Sequence, residues 1–451
     1  MARIKPFRGL RYDPKKIDDM EKAVTPPYDV ISPEQQEAFY DKSPYNVVRL
    51  DFGKNLEDDD EKHNRYTRAA QDFKAWQKAA ALVRDERPAI YLYHVTYTLD
   101  DSRVFTRKGF LCLVRLEDFS AGIVRPHEKT FPKVTSDRLK LMEHCSANFS
   151  PVFSLYPDTE NTVTEILERH KEEPPLASFY DWAGLKHEMW AVTDPKAITR
   201  VQKILDKEPL FIADGHHRYT TALDYRRIMQ ERYPDYGEQQ AFNHIMMYLC
   251  SMEDKGLVIL PTHRLVTRKK GLSWQDFKNK AAGYFDIEKF PLNSRDYVGR
   301  AGEVCRALEK AGMDRRQTMG LYTGSHDYFY LLSLKKETRQ EVFGREVPAP
   351  LQELDVFVLT ELVLGRVLGL TNTNKGNDSG DRVSYYHNAR EIMEKAARDD
   401  KAWAFLLNPT PIDQVRNVAT AGLVMPHKST YFYPKALTGL VINKIVPDEE
   451  V

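Results

Sequence analysis

Two rhythms of apolar and polar positions run along this chain of 451 residues. Over 64–81, Tyr66, Ala69, Ala70, Phe73 and Trp76 return every three or four positions, which predicts a helix with one apolar face. Over 89–99 and 105–116 the apolar residues run together, and the Asp-Asp-Ser-Arg between them suits a hairpin. Further strands are expected at 149–156 and 187–193, and helices at 135–145, 160–171 and 195–205. Ser32-Pro33-Glu34-Gln35 starts a helix, with Ser32 as N-cap and Pro33 at the first helical position. Apolar runs and turns alternate over 241–251 and 256–266, and 273–313 reads as a more independent α+β portion. A hairpin is expected in 319–334 around Gly324-Ser325-His326-Asp327, a linker at 335–350 and an apolar helix at 353–369. Helices at 388–398 and 411–421 and an apolar run at 437–446 close the chain.

The length implies two or three domains. With 42% apolar and 29% charged residues the composition is that of a globular protein. Formal net charge is zero, which argues against a nucleic-acid or membrane footprint but not against a local basic pocket. Cys112, Cys145, Cys250 and Cys305 form no CxxC pair and read as reduced thiols. Neither a signal peptide nor a long apolar span is visible, so a cytoplasmic location is expected.

The strongest candidate for chemistry is residues 209–228. Leu210-Phe211-Ile212-Ala213 reads as a buried strand, Asp214-Gly215 as a sharp turn, and His216 onward as a helix. That geometry aims backbone N–H groups at an anion. Gly215 would let a phosphate approach, His216, His217 and Arg218 would donate to its oxygens, and Asp214 would hold Mg²⁺ or position a hydroxyl. Packing alone would explain a turn with capping histidines, but not adjacent His-His-Arg at a helix start. In the loop Arg125-Pro126-His127-Glu128-Lys129-Thr130, Glu128 is either a general base or a solvated carboxylate. Lys428-Ser429-Thr430 offers a cation and two hydroxyls to a phosphate or carboxylate, or is an edge strand with aromatic neighbours. Thr262-His263-Arg264 places a further His/Arg pair at a strand end, and Pro26-Pro27-Tyr28-Asp29 is a rigid turn from which Asp29 could reach a site. His387 reads as packing, and the polar tract 371–382 as a loop that could cover a ligand.

The motifs Pro-Pro-Tyr-Asp-Val-Ile at 26–31, Ala-Asp-Gly-His-His-Arg-Tyr at 213–219 and Met-Pro-His-Lys-Ser-Thr-Tyr-Phe-Tyr-Pro-Lys at 425–435 closely resemble the hallmarks of a bacterial and archaeal family of unknown function. A second resemblance lies within it. The order Pro126-His127-Glu128, then Asp214-Gly215-His216-His217-Arg218, then Pro426-His427-Lys428-Ser429-Thr430 is similar to that of archaeal free L-serine kinases, relatives of ParB-type nucleotide-binding domains. His427 departs from that pattern, and the stretch between Glu128 and Asp214 is longer, which implies an insertion.

The resemblance implies an α+β, or mixed α/β, fold with a ParB-like nucleotide-binding core and additions at both ends. On it, 1–118 is an N-terminal α+β region, 119–266 the core, 267–345 an α+β insertion, and 346–451 a helical region whose Lys-Ser-Thr segment returns to the site. It implies a kinase making O-phospho-L-serine, with Glu128 as catalytic base. Asp214 and His216 would assist. Gly215, His216, His217, Arg218, Lys428, Ser429 and Thr430 would bind phosphates, and His127, His263 and Arg264 would bind substrate. Mg²⁺ and a nucleotide, ATP or ADP, are the expected cofactor and donor, and a second copy of the chain is a candidate partner. Two alternatives remain: a ParB-type nucleotide switch, and a zinc-dependent hydrolase using His216, His217 and His263.

Overall fold

The computed structural model describes residues 2–99, 102–269, 271–314, 316–325, 327–370 and 382–451. The fold is mixed α and β, as expected. Two compact units divide the chain. One comprises Met1–Pro126, Thr130–Val258 and Pro434–Val451, the other His127–Lys129 and Ile259–Tyr433. This grouping differs from the four successive segments drawn from the sequence, because both units are assembled from separated stretches. Residues 267–345 and 346–433 fall in one unit, and 1–118 in the other with 130–258.

The first unit is built on a nine-stranded mixed sheet. Its order is Val124–Arg125, Leu210–Asp214, Val152–Tyr156, His244–Ser251, Val104–Arg115, Ile90–Thr98, Lys186–Val192 and Ala177–Tyr180, with Ile4–Lys5 pairing Val104–Arg115. The expected hairpin is present, in antiparallel register from Tyr91↔Leu111 to Thr98↔Val104. Its strands are buried on both faces over most of their length, which is why they read as continuous apolar runs rather than alternating ones. Leu92, Phe110, Val152, Ile212 and Met247 form the core with Leu223 of the His216–Arg232 helix. That helix packs beside Pro132–Cys145, and Thr162–His170 beside Pro195–Leu205.

A second apolar cluster of this unit gathers around the helix Arg65–Lys78, which buries Ala69, Phe73 and Trp76 as its periodicity predicts. The Pro33–Lys42 helix starts as expected, Ser32 and Gln35 capping one another reciprocally. The apolar run at 437–446 is mostly irregular, with only Asn443–Lys444 pairing as a strand.

The second unit carries a six-stranded antiparallel sheet in the order Phe285–Pro291, Tyr328–Leu334, Thr318–Tyr322, Ala402–Leu406, His263–Thr267 and Val383–Tyr386. The helices Tyr297–Met313 and Ala389–Arg398 pack together over it. Here the structure departs from the sequence reading in two places. Residues 335–350 are not a linker: Thr338 and Phe343 are buried, and the Phe343 ring lies 5.4 Å from that of Phe357. The apolar helix expected at 353–369 begins as Asp355–Val358 and widens into a π-helix over Leu359–Val367. The tract 371–381 lies outside the described residues, as does His326 at the expected turn.

Candidate active site

The Leu210–Asp214 strand runs beside Val152–Tyr156, and its register shifts between Ile212 and Asp214. Such a bulge re-aims the side chain that follows it, and here that side chain is Asp214. Gly215 then turns the chain with φ of +89°, a conformation only glycine adopts freely, and the His216–Arg232 helix begins. The strand, turn and helix expected from the sequence are therefore all present.

The Asp214 carboxylate is largely buried between two cations. One oxygen accepts from the Arg218 guanidinium and the other from the Lys435 ammonium. Arg218 also donates to Ser150 Oγ at 2.7 Å and to the Pro151 carbonyl. Thr438 Oγ1 donates to the same Ser150 hydroxyl at 3.1 Å. A Cβ on residue 215 would lie 2.8 Å from Arg218 Nε, so the guanidinium lies across the turn. Gly215 and Arg218 are therefore packed against one another. The group that approaches the glycine backbone is Arg218, and its terminal nitrogens hold Asp214 and the Ser150-Pro151 loop. Asp214 and Arg218 stand four residues apart, the spacing that lets a carboxylate and a guanidinium meet across one helical turn.

The histidines of the turn have separate surroundings. His216 is buried. His217 Nε2 accepts the Phe131 N–H at 3.0 Å and stacks on the Phe131 ring, which ties the loop before the Pro132–Cys145 helix to the turn.

Charges from the N-terminal region gather around Arg218. Asp29, Tyr28 and Asp51 all interact with it electrostatically. Arg138 lies over the Tyr28 ring at 4.2 Å and donates to the Asp51 carbonyl at 2.6 Å. Burial pushes the Asp51 carboxyl above its usual range, against the pull of Arg138 and Arg218. A cavity of about 50 Å³ lined by Asp51, Arg138, Ser150 and Arg218 lies among these groups. The Pro-Pro-Tyr-Asp motif thus belongs to the surroundings of the Asp214 turn.

Lys435 and Arg107 were not singled out from the sequence. Arg107 is fully buried, donates to the Pro434 carbonyl, and is flanked by the faces of Phe153 and Tyr248 at 4.7 and 5.0 Å. It anchors the start of the segment that carries Lys435.

In the second unit, His127 Nε2 lies 3.2 Å from Thr430 Oγ1, and the His127 carbonyl accepts the Met425 N–H at 2.8 Å. The loop bearing half-buried Glu128 is thereby fastened to the 425–430 segment. Lys428 has φ of +56°, a left-handed conformation unusual for a lysine. Arg264 holds that turn, donating to the carbonyls of Thr262, His427 and Lys428, the last at 2.9 Å. Burial lowers the Arg264 guanidinium to about 10. Ser429 Oγ donates to the Pro426 carbonyl, so its hydroxyl proton is engaged within the turn. His263 Nδ1 accepts the Leu407 N–H at 3.2 Å, and burial beside Arg264 lowers its imidazole to about 3. Arg264 thus acts as framework for the 427–430 turn, and His263 holds the Leu407 backbone. His387 stacks on Tyr431 at 3.7 Å, as packing would have it.

The structure thus brings Asp214, Gly215, His216, His217 and Arg218 together with Lys435 and Ser150, and His127 and Glu128 together with Arg264 and Lys428–Thr430. Asp214 does not fit as a Mg²⁺ ligand, because both its oxygens already accept from cations. Among the described residues no group of three or more His, Cys, Asp or Glu side chains could hold a metal ion, which leaves the zinc alternative without a donor set. Nor is any helix among them long and apolar enough to cross a membrane.

A family model described as "Protein of unknown function (DUF1015)" matches residues 4–357. No curated protein matches. Solved structures similar to this chain include a free serine kinase in complex with AMP, 11% identical with a TM-score of 0.32 over 71% of this chain and 86% of that one. A conserved hypothetical protein from Pyrococcus furiosus is 10% identical, with a TM-score of 0.33 over 76% and 94%. A C-terminally truncated SbnI from Staphylococcus aureus is 10% identical, with a TM-score of 0.35 over 75% and 90%.

Proposed function

The chain belongs to this family of unknown function, and for it we propose phosphoryl transfer from a nucleotide to the hydroxyl of a small molecule, free L-serine first among them. The observation that carries the reading is the Asp214 turn. A carboxylate braced by Arg218 and Lys435 stands at the mouth of a helix whose first N–H groups open onto a glycine turn. The helix N-terminus at Gly215 and the Lys435 ammonium beside it favour a phosphate there, while Arg218 also faces Asp29 and Asp51.

In this reading His216, His217 and the backbone at Gly215 receive the donor's phosphates, with Arg218 and Lys435 supplying positive charge. Lys428, Thr430 and the backbone at Ser429 receive the acceptor's carboxylate or a donor phosphate, held in shape by His127 and Arg264, with His263 beside Arg264 on the same strand. The acceptor oxygen forms a bond to the terminal phosphorus as the bond from phosphorus to the bridging oxygen breaks. The nucleotide leaves with that electron pair, and the hydroxyl proton passes to Glu128. Positioning and charge neutralisation supply most of the rate in such transfers. Asp214 serves here as the anchor of the two cations, and no step runs through a metal bound to it.

The test is phosphorus NMR of the purified chain with L-serine and either ATP or ADP, with and without magnesium. An O-phosphoserine resonance is expected. Glu128→Gln should slow its appearance by about 10²–10⁴-fold, the usual worth of a general base, while a nucleotide-induced thermal shift persists. Absence of both nucleotide consumption and thermal shift would overturn the reading. Nucleotide consumed without a phosphomonoester would replace it with a hydrolytic switch.

A further inference from the structure

The second unit holds a cavity of about 730 Å³ that the phosphoryl-transfer reading leaves unused. Its wall is formed in part by Asn408-Pro409-Thr410-Pro411, where two prolines stiffen the backbone. Three amide side chains line it, and each gives its NH₂ end to a backbone carbonyl. Gln317 donates to Gln352, Asn408 to Leu308, and Gln414 to Glu353, at 2.9 to 3.1 Å. Those bonds fix which end of each amide is the oxygen. The three amide oxygens accept no hydrogen bond among the described residues.

Asp355 lines the same cavity. Its carboxyl has neither a hydrogen-bond partner nor an ion pair among the described residues. Burial alone pushes it up to about 7, so near neutral pH the group sits between its two forms. A perturbed carboxyl in a cavity marks a candidate site. The two guanidiniums on the lining are already turned to carboxylates, Arg316 to Asp314 at 3.2 Å and Arg339 to Glu353 at 3.4 Å. Glu309, Glu353 and Asp355 outnumber Arg316 and Arg339 on the lining, and the amide oxygens add further acceptors.

We propose that this cavity binds an organic ammonium ion, its N–H groups donating to the Asp355 carboxylate and to the amide oxygens of Gln317, Asn408 and Gln414. The site is independent of the phosphoryl-transfer reading, and a direct binding measurement tests it alone. The other charged groups on its wall are Glu309, Arg316, Arg339 and Glu353, and no histidine lines it.

The probe is putrescine, with succinate as a dianion of similar length, titrated calorimetrically into the full chain. Saturable putrescine binding is expected at pH 8, with succinate silent. Affinity should fall about tenfold between pH 8 and pH 6, as the carboxyl takes up a proton. Asp355→Asn should weaken binding at pH 8 at least tenfold and flatten that pH dependence. Should this variant fail to fold, the wild-type pH series decides. No saturable binding at pH 8, an affinity the same at both pH values, binding indifferent to Asp355→Asn, or succinate binding as well as putrescine would each overturn the proposal.

Discussion

Lys435 places its ammonium on the Asp214 carboxylate from 221 residues further along the chain. Both side chains are about nine-tenths buried. A buried pair of this kind adds little net stability over apolar residues, yet breaking one side of it is costly. Lys435→Met should destabilise the chain by about 3 kcal/mol. Combining it with Asp214→Asn should cost less than the two changes summed, by about 2 kcal/mol of coupling. Denaturant unfolding of the two single variants and the double variant measures this, and strict additivity would dissolve the pair as a unit.

The turn glycine is the second test. Gly215→Ala meets two penalties: a left-handed φ of +89° and a methyl 2.8 Å from Arg218 Nε. Gly122 has φ of +66° and nothing within 4 Å of where a Cβ would stand. Gly122→Ala should therefore cost only the backbone penalty, about 1 kcal/mol. Gly215→Ala should cost about 2 kcal/mol more, because Arg218 must leave buried partners. Equal midpoint shifts in urea would mean that Arg218 does not depend on the bare turn.

How much of this was legible follows from the range of each interaction. The Ser32 cap, the Arg65–Lys78 helix and the pairing of Ile90–Thr98 with Val104–Arg115 rest on near neighbours, and all could be read from residue type and spacing. The Asp214-Gly215 turn was legible for the same reason. So in principle was the tie between Asp214 and Arg218, since four residues separate them. The contact of Lys435 with Asp214 was not, because no local pattern couples positions so far apart. Arg107 was hidden by its neighbours: the apolar run that identified its strand gave no sign that one guanidinium is stabilised there by ring faces and a carbonyl. The strand Ala402–Leu406 was missed because five apolar residues fit a buried strand or a helix turn equally well. The widening of 359–367 into a π-helix carries no sequence signature that periodicity can detect.

Arg264 tests the second constellation. Its guanidinium spans three backbone carbonyls and lies 5.1 Å from the Tyr385 ring centroid. A lysine keeps the charge but not the planar fork. Arg264→Lys should leave at least one of the His427 and Lys428 carbonyls without its donor and cost about 1–3 kcal/mol. The left-handed Lys428 turn should loosen, so the KM for the acceptor should rise more than kcat falls. Unchanged steady-state constants in a destabilised Arg264→Lys variant would confine Arg264 to folding.

The last test concerns acid. His263 titrates near 3 in the folded chain, held neutral by burial and by Arg264, against about 6.5 when unfolded. Between those values the unfolded chain binds the extra proton and the folded chain does not. Stability therefore falls as pH drops through 6.5, and for this one group the loss from pH 7 to pH 5 is on the order of 1–2 kcal/mol. His94 and His244, each lowered to about 4 by burial, add losses of the same sign. Asp355 works in the opposite direction. Its carboxyl is raised to about 7, so its protonation on the way down from pH 8 favours the folded chain. His187 is lowered as well, and Asp51, Asp72 and Asp254 are raised like Asp355, so the His263 contribution is isolated by substitution rather than by the total slope. His263→Asn keeps an acceptor for the Leu407 N–H and removes the imidazole. Urea unfolding across pH 5–8 should show a shallower acid slope in this variant than in the wild type. An identical slope would mean that His263 is charged, or solvated, in the folded chain.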